Sequence, residues 1–328
     1  MSASLSSLLP STLPVARYRL TLRADAPFRL TGYPGAMLRG AWGHALRRLA
    51  CSTGSPVCQG CPVRQQCRYT QLFEPLPDTT KGAARDIPPP YIIQAALARP
   101  RAMAVGDTWA FEMVLFGKAL EELPLIIWAW QMAAQAGLGD QQTPMSLVRV
   151  DYQPAVGPEQ TVWEAGSTKL VSTSTRAPRL EPHHPALSLA SASPERVLTG
   201  GRLNVLTPMR LQHKGRICEP HQLNADILLS SLWRKLELYL EHYVGLTLPA
   251  MPSREGILLQ PLSLARQRWE RHSRRQQKAM RLDGMVGTLS LHGPLEAWWP
   301  VLWLGQYTHL GKNTSFGLGQ YQLAAVDN

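Results

Sequence analysis

Four cysteines lie close together in the first third of the chain, at the spacing of a metal site. They are Cys51, Cys58, Cys61 and Cys67. Two cysteines separated by two residues direct their sulfur atoms at one ion, and two further thiolates complete a closed tetrahedral site. The spacing predicts a structural zinc site, with an iron–sulfur cluster and a disulfide pairing as less favoured alternatives. A closed site has no open position for a substrate, so we assign this site a structural role and not a catalytic one.

The densest positive charge lies in residues 264–281, which we predict to form a basic helix. The segment has one acidic residue, Glu270, and seven cations: Arg266, Arg268, Arg271, Arg274, Arg275, Lys278 and Arg281. A solvated helix face usually mixes charge signs, and this segment does not. Because arginine donates to phosphate oxygens and stacks on bases, the segment indicates binding to RNA or single-stranded DNA.

A glycine-rich loop, residues 311–319, joins an apolar helix to the last predicted strand. Its three glycines would let backbone N–H groups approach an anion, and Lys312 adds a positive charge. It is not a nucleotide-binding P-loop, because that motif leads into a helix whereas a strand follows here. Its composition alone fits a binding loop and a plain helix-to-strand connection equally well.

Composition places these motifs in a basic globular protein. The 328 residues are 45% hydrophobic, and 34 Lys and Arg against 23 Asp and Glu give a net charge of +11. This charge favours a polyanionic partner, although an ordinary basic enzyme has such a balance too. The sequence lacks an apolar run of roughly 18 residues and a basic signal-peptide start, so we predict a cytoplasmic protein without membrane contact.

The elements that would position these residues occur twice along the chain. Alternating polarity predicts strands at residues 15–22 and 204–211, and helical spacing of apolar residues follows each of them, at residues 36–50 and 223–243. Later, a glycine after a strand precedes a helix-opening proline by seven residues in both halves, as Gly117 and Pro124 and as Gly293 and Pro300. The repeat predicts an α+β fold of two tandem ferredoxin-like units.

The proposed domain plan follows from this repeat. It comprises an N-terminal domain at 12–153 with the cysteine cluster at 51–67, a linker or irregular excursion at 154–201, and a C-terminal domain at 202–328 containing the basic helix and the glycine-rich loop.

Several longer segments resemble the CRISPR-associated endoribonucleases of the RAMP superfamily that process precursor CRISPR RNA, the Cas6-type family. The segments that carry this resemblance are residues 37–48, the cysteine cluster at 51–67 leading to Tyr69 and residues 72–75, and residues 206–211, 269–276, 284–287, 309–312 and 315–321. The resemblance implies tandem ferredoxin-like folds, a basic RNA-binding cleft and cleavage that needs no metal ion. In that reaction the ribose 2′-hydroxyl attacks the adjacent phosphorus, leaving a 2′,3′-cyclic phosphate and a 5′-hydroxyl, which requires a base, an acid and nearby cations.

The resemblance also implies where the reacting groups lie. Family members commonly place a histidine on or near the first helix, sometimes with a preceding tyrosine, which matches His44 and Tyr33. His309 is the second candidate and His272 the third, and some relatives use arginine instead, which makes Arg39 a candidate. The predicted RNA contacts are Arg39, Arg47, Arg48, Arg210, Arg268, Arg271, Arg274, Arg275, Lys278, Lys312, Asn313 and Ser315.

Two functions share these features. The first is a repeat-specific endoribonuclease that stays on its CRISPR RNA product and joins other subunits of an effector complex. The second is an inactive subunit of such a complex that binds CRISPR RNA without cutting it. A zinc-containing RNA-binding protein unrelated to CRISPR is disfavoured by the length of the resemblance.

Overall fold

The structure is a computed structural model that describes residues 12–77, 79, 85–95, 100–166, 187–188, 200–268, 270–273 and 278–326. The chain forms two compact units, Pro14–Leu187 and Ser188–Asn328, the second of which takes in Met1–Leu13. No helix in the described part of the chain is long and apolar enough to cross a membrane.

Residues 12–188 contain nine strands and three α-helices in their described part. The strands are β1 (Thr12–Leu13), β2 (Val15–Ala24), β3 (Phe28–Leu30), β4 (Tyr91–Gln94), β5 (Arg101–Met103), β6 (Thr108–Phe116), β7 (Met145–Gln153), β8 (Gln160–Glu164) and β9 (Leu187–Ser188). The helices are α1 (Gly35–Ala50), α2 (Arg68–Phe73) and α3 (Leu123–Ala136), with a 3₁₀ turn at Gly117–Leu120.

The N-terminal unit is built on one antiparallel sheet. Its strand order is β4-β6-β2-β7-β8, so the first strand of the unit lies at the centre between β6 and β7. The first four of these strands, together with α1 and α3, have the order of a ferredoxin-like fold. β8 extends the sheet within the stretch predicted as linker, so that part of the prediction is wrong. β8 has only five residues, and their polarity does not alternate, so the pattern did not predict a strand there.

The core of the N-terminal unit explains why α1 forms where it does. Leu38, Trp42 and Leu46 recur at helical spacing and are fully buried. The Trp42 ring lies 5.9 Å from that of Trp130 on α3 and 4.7 Å from that of Tyr91 on β4, measured between ring centroids. Each large apolar side chain buried in this way stabilises the fold by about 1.5 to 3 kcal/mol. This packing fixes which face of α1 points away from the core.

The second half of the chain repeats the same plan. Its strands are β10 (Gly200–Met209), β11 (Gln212–His213), β12 (Arg216–Ile217), β13 (Leu258–Pro261), β14 (Ala265–Gln267), β15 (Glu270–Ser273), β16 (Lys278–Arg281), β17 (Gly284–His292) and β18 (Tyr321–Ala325). Its α-helices are α4 (Ala225–Tyr239) and α5 (Trp299–Thr308), with a π turn at Leu240–Val244 and 3₁₀ turns at Pro220–Gln222, Glu296–Trp298 and Thr314–Phe316.

The sheet of the C-terminal unit has the order β13-β17-β10-β18, again antiparallel and again with the first strand inside. This is the same ferredoxin-like order as in the N-terminal unit, as the repeated glycine-to-proline spacing predicted. α4 begins at an Asn224 cap whose side chain accepts a hydrogen bond from the Ile227 N–H at 2.9 Å. The mixed α+β fold is therefore confirmed.

The predicted basic helix at residues 264–281 is wrong. β14 pairs with β17, and β15 and β16 pair antiparallel with each other, with Glu270 opposite Arg281 and Ser273 opposite Lys278. Charge density does not define a helix, because a surface helix also needs an apolar stripe at intervals of three and four residues. The segment has no such stripe, and it forms strands instead.

Candidate nucleic-acid interface

The glycine-rich loop has backbone torsions that residues other than glycine rarely adopt. Four of its residues have positive φ, namely Gly311 (79°), Asn313 (63°), Gly317 (86°) and Gly319 (74°), as does His309 (57°) just before the loop. At Gly319, a side-chain Cβ would lie 1.9 Å from the carbonyl oxygen of Leu310, which excludes any other residue without rearrangement. The glycines are therefore needed for the shape of the loop.

Both ends of the loop are attached to the end of β10. The Lys312 N–H donates to the carbonyl oxygen of Arg210 at 2.9 Å, and the Gly319 N–H donates to that of Pro208 at 3.1 Å. The buried hydroxyl of Thr207 donates to the carbonyl oxygen of Gly317 at 2.7 Å. The central strand of the sheet thus fixes the position of the loop.

Lys235 on α4 holds the middle of the loop. Its ammonium group donates to the carbonyl oxygen of Gly311 and, at 3.3 Å, to the hydroxyl of Thr314. Burial, reinforced by the positive charge of Lys312, lowers the pKa of Lys235 to about 7. The Lys235 amino group is therefore held within the unit by its hydrogen bonds to the loop.

Arg210 is a second cation beside the glycine-rich loop, next to Gly311. Its guanidinium donates to the carbonyl oxygen of Asp283 at 2.6 Å, and Arg266 pairs with the Asp283 carboxylate at 3.0 Å. Burial is the main cause that lowers the pKa of Arg210, and Asp283 opposes that shift. The Arg210 Nε atom is buried without a hydrogen-bond partner among the described residues, so it can donate to one further acceptor.

We call Arg210, Lys235 and Lys312 the loop cations. Lys312 is exposed, whereas Arg210 and Lys235 are partly buried beside Gly311. Of the other loop residues predicted to contact RNA, Asn313 is half-buried and Ser315 is only 7% exposed. The exposed charge of the loop is therefore that of Lys312.

On α1, His44 and Arg48 lie on the solvent side of the helix. Both side chains are exposed, while Trp42 and Leu46 on either side of His44 are fully buried. Residues four apart are neighbours on a helix surface, with about 5 to 6 Å between their Cβ atoms. α1 therefore presents a possible proton-transfer group and a cation next to each other.

Two further candidates for proton transfer, Tyr33 and His309, are buried. Tyr33 is 3% exposed, and burial raises its pKa, which keeps the hydroxyl protonated near neutral pH. His309 is fully buried at the end of α5, and its Nδ1 atom lies 3.1 Å from the carbonyl oxygen of Leu318 within the glycine-rich loop. These surroundings favour structural roles for both residues.

Two of the predicted RNA-binding arginines on α1 are engaged within the N-terminal unit. The Arg39 guanidinium lies 4.2 Å from the centroid of the Phe73 ring, a cation–π contact. Arg47 donates to the carbonyl oxygens of Ser55 and Pro56 at 2.6 and 2.7 Å. Arg48 is thus the exposed arginine of the three on this helix.

The remaining basic candidates belong to the strands that replace the predicted helix. Arg268 is exposed after β14, Arg271 and His272 belong to β15, and Lys278 belongs to β16. Arg274 and Arg275 lie outside the described residues.

The four clustered cysteines line one cavity at the end of α1, with Cys51, Cys58, Cys61 and Cys67 all half-buried and free of disulfides. The Thr53 hydroxyl lies 3.8 Å from the Cys51 sulfur and 3.6 Å from the Cys61 sulfur. Among the described residues, no group of three or more metal-binding side chains is close enough together to hold an ion. The zinc site remains a prediction.

Sequence reasoning missed Lys235, although the sequence contained a signal for it. Lys235 lies three residues after Leu232 and four before Tyr239, both buried, so it occupies the core-facing stripe of an amphipathic helix. A lysine on such a stripe needs a partner that satisfies its charge or its donors. The partner, the Gly311 carbonyl, lies 76 residues away in sequence and was not predictable from the helix.

Comparison with known proteins agrees with this architecture. Residues 203–321, which include most of β10 and the whole glycine-rich loop, match the family of CRISPR-associated endoribonuclease Cas6. Residues 13–175 match the AF_1859_N family of N-terminal domains. Sequence comparison with curated proteins gives no match.

Solved structures show the same fold at low sequence identity. A Cas6 product complex matches with a TM-score of 0.54 and 15% identity over 94% of this chain and 100% of the other. Thermus thermophilus Cas6 matches with a TM-score of 0.51 and 14% identity over 96% of this chain and 100% of the other. A partial Cas6-RT-Cas1–Cas2 complex matches with a TM-score of 0.54 and 16% identity over 97% of this chain and 47% of the other.

The C-terminal unit, including the loop cations, thus matches the family of CRISPR-associated endoribonuclease Cas6, and the chain shares the fold of solved Cas6 structures.

Proposed function

We propose that this protein binds CRISPR repeat RNA and cuts it without a metal ion. The observation that carries the proposal is the set of loop cations, which surround Gly311 in the segment that matches the Cas6 family. Among the described residues the buried Nε–H of Arg210 has no acceptor, and Lys312 presents an exposed charge. Phosphate oxygens would supply an acceptor for Arg210 and a negative charge opposite Lys312.

The cleavage step needs groups that transfer protons. The 2′-oxygen forms a bond to phosphorus as the bond from phosphorus to the 5′-oxygen breaks, so a base must take the 2′-hydroxyl proton and an acid must protonate the leaving oxygen. Histidine suits either role near neutral pH. We assign one of these roles to His44, because it is exposed whereas Tyr33 and His309 are buried, and we assign charge stabilisation to Arg48.

The second candidate function is RNA binding without cleavage. The burial of both Tyr33 and His309 favours it, since neither side chain is then placed to act as the second proton-transfer group beside His44. In either case we propose that the protein stays with CRISPR RNA and assembles with other CRISPR proteins. One of the matched structures is a Cas6-RT-Cas1–Cas2 complex, which supports partners of this kind.

Incubation with repeat RNA in the presence of EDTA separates the two functions. We expect products that end in a 2′,3′-cyclic phosphate and a 5′-hydroxyl, identified by mass spectrometry. His44→Ala should slow single-turnover cleavage by about 100-fold or more while leaving RNA affinity near that of the wild type. His213→Ala removes an exposed histidine of the β11–β12 hairpin and serves as the matched control.

The outcomes bear on different claims. RNA that is bound but not cut would support the non-cleaving function and contradict the enzyme. Full activity in His44→Ala would show that His44 has no catalytic role.

A further inference from the structure

The segment with the four clustered cysteines connects two helices of the N-terminal unit. Cys51 is the residue at which α1 ends, and Cys67 is the residue that precedes α2. Cys58 and Cys67 also pack against the hydrophobic core of the unit. An ion bound to these residues would therefore join two helix ends and the loop between them.

The four thiols share one open cavity of about 330 Å³. The sulfur atoms of Cys51 and Cys61 both lie next to the Thr53 hydroxyl, at 3.8 and 3.6 Å. Cys51 is ten residues before Cys61 in sequence, so the loop has already folded back to bring these two sulfur atoms to one side.

The Cys58–Cys61 turn has the form expected of a pair of metal ligands. The Cys61 N–H donates to the Cys58 carbonyl oxygen at 3.3 Å, and the Arg64 N–H donates to the Cys61 carbonyl oxygen at 3.1 Å. Gly60 takes a φ of 77°, which lets the chain turn tightly between the two cysteines. Such a turn directs both thiols at one point.

An unsatisfied donor at the cavity gives independent evidence of a missing partner. The Nε atom of Arg64 is buried without a hydrogen-bond partner among the described residues, and Arg64 lines the cavity together with Arg47. A buried N–H group normally has an acceptor, and leaving it without one costs about 1 to 3 kcal/mol. Thiolate sulfur accepts hydrogen bonds, and a zinc ion with four thiolates has a net charge of −2 that two arginines offset.

We propose that Cys51, Cys58, Cys61 and Cys67 together bind one zinc ion as a structural site. The sulfur atoms do not yet converge to ligand distances, so binding requires side-chain rotations that bring each sulfur to about 2.3 Å from the ion. Metal binding of this kind is coupled to the folding of the loop that supplies the ligands. Four thiolates fill the coordination shell, so the ion takes no part in RNA cleavage.

The metal content of the purified full-length protein tests this proposal. We expect one zinc per chain by mass spectrometry of the metals, and a thermal midpoint that falls after prolonged chelation. Replacing Cys58 and Cys61 together by serine should abolish zinc binding. Cys218→Ala is the matched control, because Cys218 lies in the other unit, and it should retain the metal.

A cobalt titration of the metal-free wild type keeps the proposal testable if the double variant does not fold. Tetrahedral thiolate coordination gives intense cobalt bands in the visible, and saturation should occur at one equivalent. Stoichiometric iron with acid-labile sulfide, a loss of free thiols through disulfide formation, or a chain that binds neither zinc nor cobalt would each overturn the zinc site.

Discussion

At the scale of single residues, the structure separates cations that support the fold from cations that remain available to RNA. On α1, Arg47 donates to two backbone carbonyls, whereas its neighbour Arg48 is exposed. Their sequence positions did not distinguish them. The distinction depends on the loop that follows the helix, since the carbonyls of Ser55 and Pro56 belong to that loop.

Alanine substitution should affect these two arginines differently. Arg48→Ala should weaken RNA binding by about fivefold to tenfold, or about 1 to 1.4 kcal/mol, and leave the thermal midpoint unchanged. Arg47→Ala should lower the thermal midpoint by several degrees, because two carbonyls lose a charged donor. Thermal melts and RNA titrations of both variants would check this. Equal loss of stability in both, or wild-type RNA affinity in Arg48→Ala, would contradict the assignment.

At the scale of elements, the glycine-rich loop is held on one side by β10 and on the other by α4. The hydrogen bonds from Lys235 are the contribution of α4, and hydrogen bonds to a charged donor are worth about 1.5 to 3 kcal/mol each. The loop is therefore a fixed surface within the C-terminal unit, and its shape depends on hydrogen bonds from a partly buried lysine.

Lys235→Met should loosen the loop and remove a pH dependence of stability. A lysine titrates near 10.4 in an unfolded chain, whereas the pKa of Lys235 is about 7 in the folded protein. Between about pH 7 and pH 10 the unfolded chain therefore binds more protons, and this residue makes stability rise with pH by up to a few kcal/mol. Urea denaturation at pH 7 and pH 9.5 should show a rise in the wild type that is smaller in the variant.

RNA binding provides the second measurement on the same variant. Affinity for repeat RNA should fall in Lys235→Met, because the Gly311 carbonyl and the Thr314 hydroxyl lose their common donor. Lys118→Met removes an exposed lysine of the N-terminal unit and is the control for the loss of one positive charge. Identical pH profiles for the wild type and Lys235→Met would show that this lysine is not the buried titrating group.

At the scale of the whole molecule, repetition in the sequence predicted more than charge did. Gly117 with Pro124, and Gly293 with Pro300, marked the third strand and second helix of each ferredoxin-like unit, because these residues are tied to backbone geometry. The dense cations of residues 264–281 do not constrain the backbone in this way, and the predicted helix proved to be strands. Positive charge predicted a basic segment but not the type of secondary structure that it forms.

The candidate site was predictable to a similar extent. Lys312 and the exposed His44 follow from the sequence and the resemblance, since both depend on local positions. Lys235 and the carbonyl partners of Arg47 do not, since each depends on a contact made by a loop that the helix pattern does not describe. Long-range partners decide which charged residues are structural.

The net charge of +11 indicates an electrostatic component in RNA binding, and the central claim is that the glycine-rich loop is where RNA phosphates are held. The most direct test is the salt dependence of repeat-RNA affinity for the wild type, Lys312→Ala and the control Lys118→Ala. If Lys312 contacts a phosphate, its loss should lower affinity and reduce the slope of log K against log salt concentration by roughly 0.7 to 1. A slope in Lys312→Ala equal to that of the wild type and of Lys118→Ala would contradict the account.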